Sequence, residues 1–142
     1  MLVLVPNTKV PVIWQELKPG IAAGLPRGVT ATDELLLNIM RGAMNNTVRI
    51  WLLMEEDGLR MIITTTMTQD VCSKDKNLLI YSAYVHQKPD KKSLLDAFVT
   101  LYHAAKRWGC KRLAMYTQDE RVLEVVRRLS GGFVDTYVEV TL

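Results

Sequence analysis

The sequence predicts a mixed α/β fold with element order β-α-α-β-β-β-α-β-α-β. A central antiparallel meander, a parallel crossover strand and helices on both faces of the sheet are expected. Three observations predict it. Leu78, Leu79, Ile80, Tyr81, Ala83, Tyr84 and Val85 are apolar at both alternating positions, as in a central strand covered on both sides. Leu94, Phe98, Leu101, Ala105 and Trp108 recur at helical spacing, and Leu113, Ala114, Met115 and Tyr116 return as a strand. A strand-helix-strand unit of this length implies two parallel strands joined by a right-handed crossover. Finally, Val48–Glu55 and Leu59–Thr68 flank Asp57-Gly58, a hairpin signal of type I′, in which both central residues need positive φ.

The elements follow in order. Leu2, Val3, Leu4 and Val5 read as a short strand ending before Pro6. Pro11 can open a helix with Val12, Ile13, Trp14 and Leu17 on its apolar side, and Pro19-Gly20 should end or kink it, leaving Ile21, Ala22 and Ala23 as a second short piece. Thr32 before Asp33-Glu34 is an N-cap with acidic residues in the first turn; Leu35, Leu36, Ile39, Met40 and Ala43 form the apolar face, and Asn45-Asn46 closes the helix. The threonine run Thr64-Thr65-Thr66 favours extended backbone in the second meander strand.

In the crossover helix Leu95 and Tyr102 widen the apolar stripe, while Asp96, Thr100, His103 and Arg107 lie opposite. Ser93 with Asp96 offers a capping box, with an alternative start a turn earlier at Pro89, and Gly109 can take the left-handed C′ conformation. Thr117 and Glu120 match a second capping box, before a helix whose buried stripe is Val122, Val125, Val126 and Leu129. Val134, Thr136, Val138 and Val140 alternate with Asp135, Tyr137, Glu139 and Thr141, the pattern of a last strand exposed on one face.

Composition bounds the function. The 142 residues suit one domain over residues 1–142 with a sizeable core. A net charge of +3 is too small to argue for nucleic acid, since the basic clusters sit largely at helix ends. Cys72 and Cys110 lack metal or redox-motif spacing, Met1–Val5 has no basic flank and stops at Pro6, and no run approaches membrane-spanning length. A reduced, cytoplasmic compartment is expected, with free thiols, no metal site and no membrane partner.

Taken together, the order and several short patterns resemble the GNAT superfamily of acyl-CoA-dependent N-acyltransferases over almost the whole chain. Leu94-Leu95 is similar to the family's leucine pair after its phosphate loop. Ala104 or Ala105, then Gly109 and Leu113, resembles the end of that helix and the next strand, and Gly132-Phe133 the Gly-Phe before the final strands. The resemblance implies a single GNAT-like domain in which the central strand parts from its neighbour and a cofactor, acetyl-CoA, lays its pantetheine arm in the gap. The pyrophosphate would meet N–H groups at the start of the crossover helix.

Carried over residue by residue, the resemblance makes Tyr84, Val85, Lys88, Lys91, Lys92 and Ser93 the cofactor-binding candidates. The N–H groups near Tyr84 and Val85 would polarise the thioester carbonyl, and the lysines would meet phosphate by charge. Lys88 stands where Arg or Gln is usual, Lys91 where the first Gly is usual and Ser93 where the second Gly or Ala is usual; Pro89 removes one N–H donor. Lysines near a helix N-terminus oppose the dipole unless an anion lies there; the plainer reading is that they extend into solvent.

The family's acid, a tyrosine on the last helix, has no match in Val126–Leu129. Tyr116 is the nearest phenol, readable as an acid or as a sheet-edge tyrosine. His86, ending the central strand, is the candidate base or else a polar strand terminus. Glu55 and Glu56 at the hairpin tip read as solvated charge. Two functions are implied: transfer to a small-molecule or peptide amine acceptor, or a non-catalytic GNAT-like interaction or structural protein of bacterial or phage origin. The resemblance implies a hairpin of two last strands where this sequence offers one, Val134–Leu142: either the last strand is missing, or a neighbouring molecule supplies the pairing, as in a homodimer.

Overall fold

In the computed structural model, which describes every residue except Gln118, Ser130, Phe133, Thr136 and Tyr137, the chain runs β1 (Leu2–Leu4), α1 (Val10–Ala23), α2 (Asp33–Met44), β2 (Val48–Glu55), β3 (Gly58–Gln69), β4 (Lys76–Val85), α3 (Lys91–Arg107), β5 (Arg112–Met115) and α4 (Glu120–Arg128). The strands form one sheet in the order β1-β2-β3-β4-β5, antiparallel up to β4 and parallel between β4 and β5. The mixed α/β architecture, the meander and the crossover are therefore as the sequence predicts.

Two apolar layers sandwich the sheet. Val10, Trp14, Leu17 and Ile21 of α1 and Leu36 and Ile39 of α2 pack on Ile50 and Ile62. On the other face, Ala97, Phe98, Leu101 and Ala104 of α3 and Val122 of α4 pack on Trp51, Leu53, Ile63 and Ile80. At the far end of α3 the Trp108 ring lies 6.0 Å from Trp51, the Arg49 guanidinium stands 3.9 Å over Trp108, and the Trp51 indole N–H donates to Thr65 Oγ1 at 2.9 Å.

Two register irregularities shape the functional end. Thr64 faces Ser82 but Thr65 faces Ile80, so Tyr81 is an extra residue in β4. The bulge sends Tyr81 and Tyr84 to the α1–α2 layer, and Ile80 and Ala83 to the α3 layer. In the hairpin, Leu53 faces Met61 and Met54 faces Leu59, which leaves Arg60 as the extra residue of β3.

Several local expectations are corrected. Pro19-Gly20 neither ends nor splits α1, which runs unbroken through Pro19. The helix lies so close to the sheet that a Cβ on Gly20 would meet Ile62 Cδ1 at 2.7 Å, and Leu17 and Ile21 are buried on either side. That burial outweighs the one backbone bond Pro19 cannot make. The hairpin falls where expected, but its turn is not type I′: Glu56 and Asp57 form the turn without positive φ, and Gly58 takes it instead (φ 130°).

Asp90, not Ser93, caps α3, and Asp119, rather than the Thr117/Glu120 box, caps α4. Leu95 and Tyr102 face solvent, with Ala97 and Ala104 in the buried stripe instead, and Leu129 follows α4 and is exposed. The described residues of Val134–Leu142 form no strand, so β5 is the last strand of the sheet among the described residues. The expectations placed on Phe133, Thr136 and Tyr137 lie outside the described residues.

Candidate functional site

The parallel pairing of β4 with β5 runs only from Asn77–Arg112 to Ile80–Met115. Beyond Ile80, β4 continues through the Tyr81 bulge to Val85 while β5 has ended, so the two strands part. An apolar cavity of about 30 Å³ lies at the parting point, walled by Ile80, Ala83, Leu94, Phe98, Met115 and Val122 among others. The crossover places α3 over this gap with its N-terminus at the open end.

Backbone direction along this part of β4 follows from one bond. The Ala83 N–H donates to the Gly24 carbonyl at 3.1 Å, so it points away from β3. Antiparallel pairing alternates, so the Val85 N–H faces the same open edge and that of Tyr84 faces β3. The Ala83 N–H at this edge escaped the sequence reading, because the bulge that sets its direction leaves no trace in a strand apolar at both positions. Gly24 follows α1 closely enough that a Cβ there would stand 2.8 Å from the Ala83 carbonyl and the Tyr84 nitrogen.

The other candidates lie around this edge. Val85 is half-exposed on the α3 side, Tyr84 packs on the α1–α2 layer, and its ring lies 6.3 Å from that of exposed His86. Tyr116 is the first residue beyond β5 and is largely exposed. Lys88, Lys91 and Lys92 are exposed, Ser93 is half-buried and Pro89 is buried.

At the α3 N-terminus, the Asp90 carboxylate accepts the Ser93 N–H at 2.6 Å, and the Asp90 N–H donates to Glu55 Oε1 at 3.1 Å. Glu55 Oε2 holds Arg60 Nε at 2.5 Å, Arg60 Nη2 reaches Asp57 Oδ1 at 2.6 Å, and Arg60 Nη1 donates to Gln87 Oε1. The Arg60 carbonyl also accepts the His86 and Gln87 N–H groups at 2.8 and 3.2 Å. Arg60, freed from strand pairing by its bulge, thus ties the hairpin to the β4–α3 loop.

This corrects the reading of Glu55 as solvated charge: its side chain keeps only 15% of its exposure and that of Arg60 14%. The Asp90 N–H foremost, with the Ser93 side chain and Arg60, holds the Glu55 carboxyl below its ordinary value against the opposing effect of burial. The Ser93 N–H foremost does the same for Asp90. The positive dipole end of α3 is therefore met by the chain's own carboxylates. A legible signal existed in part, because Glu55 and Arg60 are opposite charges on the two strands of one hairpin, close to its turn.

Solved structures share this framework. A GNAT family acetyltransferase from Staphylococcus aureus superposes with a TM-score of 0.63 at 13% identity, over 100% of this chain and 96% of that one. A predicted acetyltransferase with acetyl-CoA from Clostridium acetobutylicum gives 0.67 at 13% identity, over 99% and 95%. This chain has the GNAT fold. A ribosomal-protein-alanine N-acetyltransferase from Brucella melitensis gives 0.62 at 10% identity, over 99% of both chains. No protein-family model matches the chain, and no curated protein does.

Within this GNAT fold, the described residues hold no group of three or more His, Cys, Asp and Glu placed for a metal ion, and no helix among them is long and apolar enough to cross a membrane. Cys72 and Cys110 are free thiols; burial pushes that of Cys110 up.

Proposed function

We propose that this chain is an acyl-CoA-dependent N-acetyltransferase acting in the cytoplasm on a small-molecule or peptide amine. The observation that carries the reading is the parting of β4 from β5 at Ile80–Met115 beside an apolar cavity, within a GNAT fold. The apolar walls suit a thin pantetheine arm, and the Val85 N–H at the open edge suits its carbonyl groups. The α3 N-terminus fits a diphosphate poorly, because Glu55 and Asp90 place two carboxylates there and take the Asp90 and Ser93 N–H groups. Lys88, Lys91 and Lys92 are left to meet phosphate from the rim, and Ser93, whose side chain already supports Glu55, would have to exchange that partner to join them.

Acetyl-CoA supplies an electrophilic acyl carbon when bound. The protein's part is to align an amine with it and to exclude water, which removes much of the entropic barrier. With the thioester in the gap, the Val85 N–H would donate to its carbonyl oxygen. His86 would be the group to accept a proton from the amine, and Tyr116 the group to donate one to the leaving thiolate.

The test is a melting curve with and without acetyl-CoA. A ligand at about 100 times its Kd stabilises by about 2.7 kcal/mol, several degrees in Tm for a chain of this length. Glu at Lys88, Lys91 and Lys92 together should reduce that rise. Dimerisation through Val134–Leu142 belongs to the same proposal; sedimentation that stays monomeric at every concentration would remove it.

A second reading, a GNAT-fold domain with an interaction or structural role and no catalysis, is favoured by one observation. The chain itself fills two ligand-facing positions, the Ala83 N–H with the Gly24 carbonyl and the α3 N-terminus with Asp90 and Glu55. No Tm change at saturating acetyl-CoA, in a normally folded protein, selects this reading.

A further inference from the structure

The Glu55 carboxylate raises a question of selectivity. It is held on one oxygen by Arg60 and on the other by the Asp90 N–H, at the positive end of a helix whose first two residues are lysines. Arg60 is held in turn by Asp57 and Gln87, so the carboxylate is not at liberty to swing aside. A phosphate arriving at this end of α3 would find the Asp90 and Ser93 N–H groups already taken by Glu55 and Asp90, and would meet two fixed negative charges beside the remaining ones. The lysines do not offset this at the backbone, because their side chains extend into solvent, where their attraction is screened.

We infer that Glu55, clamped by Arg60, is a specificity-determining residue that closes the α3 N-terminus to phosphate. The slot accordingly takes its acyl donor by the thioester arm, with no diphosphate seated on the α3 backbone. The donor class is an acyl thioester on a pantetheine-like arm, to which the nucleotide end of acetyl-CoA adds only the screened attraction of the rim lysines. The donor class rests on the transferase reading above; the closure of α3 does not.

Two measurements test the two parts separately. In the first, sodium pyrophosphate is titrated to 20 mM, in the sense of an order-of-magnitude excess over weak phosphate binding (about mM), while the amide NMR signals of Asp90, Lys91 and Ser93 are followed. The wild type should show no saturable shift, whereas Glu55→Ala, and Glu55→Gln as the variant that keeps the side chain's shape, should show one at Asp90. A saturable shift in the wild type, or none in either folded variant, overturns the closure.

In the second, the affinities of S-acetylpantetheine and acetyl-CoA are compared by calorimetry. The wild type should bind them within about tenfold of one another, or 1.4 kcal/mol, and Glu55→Ala should tighten acetyl-CoA alone. A larger wild-type preference for acetyl-CoA overturns the inference on donor class. If neither thioester binds while the amides respond as expected, the transferase reading falls and the closure of α3 stands.

Discussion

Replacing Gly24 by alanine tests the contact between the end of α1 and the exposed edge of β4. The Gly24 backbone (φ −96°, ψ 7°) suits alanine, so no torsional strain enters. The difficulty is space: the new Cβ would stand 2.8 Å from the Ala83 carbonyl and the Tyr84 nitrogen, about 0.6 Å inside ordinary contact, and these are backbone atoms of a paired strand. Overpacking of this kind costs about 1–3 kcal/mol, and loss of the Gly24–Ala83 hydrogen bond adds about 1. The stiffer unfolded chain returns about 0.5–1 kcal/mol. The expected net loss is about 2–3 kcal/mol, a Tm fall of roughly 5–10 °C.

Urea unfolding followed by circular dichroism measures it, and amide exchange at Ala83 should lose its protection. Gly20→Ala is the control. Its Cβ would meet the end of Ile62 at 2.7 Å, an atom that can swing, and the Tyr84 ring at 2.9 Å, which must shift as a side chain while the backbone stays, and the helix interior gains about 1 kcal/mol from alanine. If Gly24→Ala lies within about 0.5 kcal/mol of wild type, or costs no more than Gly20→Ala, the contact is not what it is taken to be.

Other outcomes follow from the same coordinates. Leu53→Ala removes a side chain with 0% exposure from the α3 layer and should cost about 2–5 kcal/mol in denaturant midpoint experiments. Thr64 Oγ1 and Ser82 Oγ lie 2.6 Å apart and buried, so Ser82→Ala alone should cost about 1–3 kcal/mol, with Thr64→Val restoring part of it in a double-mutant cycle. Glu55 and Asp90 have folded-state pKa values below their unfolded ones, so their contribution is whole above the ordinary carboxylate range of about 4 and fades as pH falls through the lower folded values. Acid unfolding of Glu55→Gln should therefore depend less on pH in that window than that of wild type. With a thiol reagent, exposed Cys72 should react ahead of Cys110, whose burial disfavours the thiolate; equal rates would contradict this.

The parts of the fold legible in the sequence are those governed by local chemistry. Thr32 accepts the Leu35 N–H at 3.1 Å, as a cap before Asp33-Glu34 should, and Gly109 takes φ 75° at the end of α3. The meander and the crossover were legible because their apolar runs had the right period and length. Pro19 misled because a proline signal is local, whereas the close seat of Gly20 on Ile62 belongs to tertiary packing. Neighbouring polar residues compete for a cap and local pattern does not choose between them, as with Asp90 against Ser93.

The site was legible only in outline. Where β4 and β5 part could be anticipated from the resemblance, but the bulge at Tyr81 is silent in a strand apolar on both faces. Glu55 was missed because its role depends on a register fixed by the extra residue Arg60, and a shift of one position turns a side chain to the opposite face. The terminal alternation of valines shows which side would be buried but supplies no strand to pair with.

The indole pair at the far end of α3 has a practical consequence. Trp51 is fixed in β2 and Trp108 rides on the end of α3, with their rings 6.0 Å apart. The protein thus carries an internal optical gauge: undocking of α3 should alter near-ultraviolet dichroism and emission without any attached label. Since the opposite end of α3 borders the slot, the same signal can tell whether an occupant tightens or loosens the helix along its whole length.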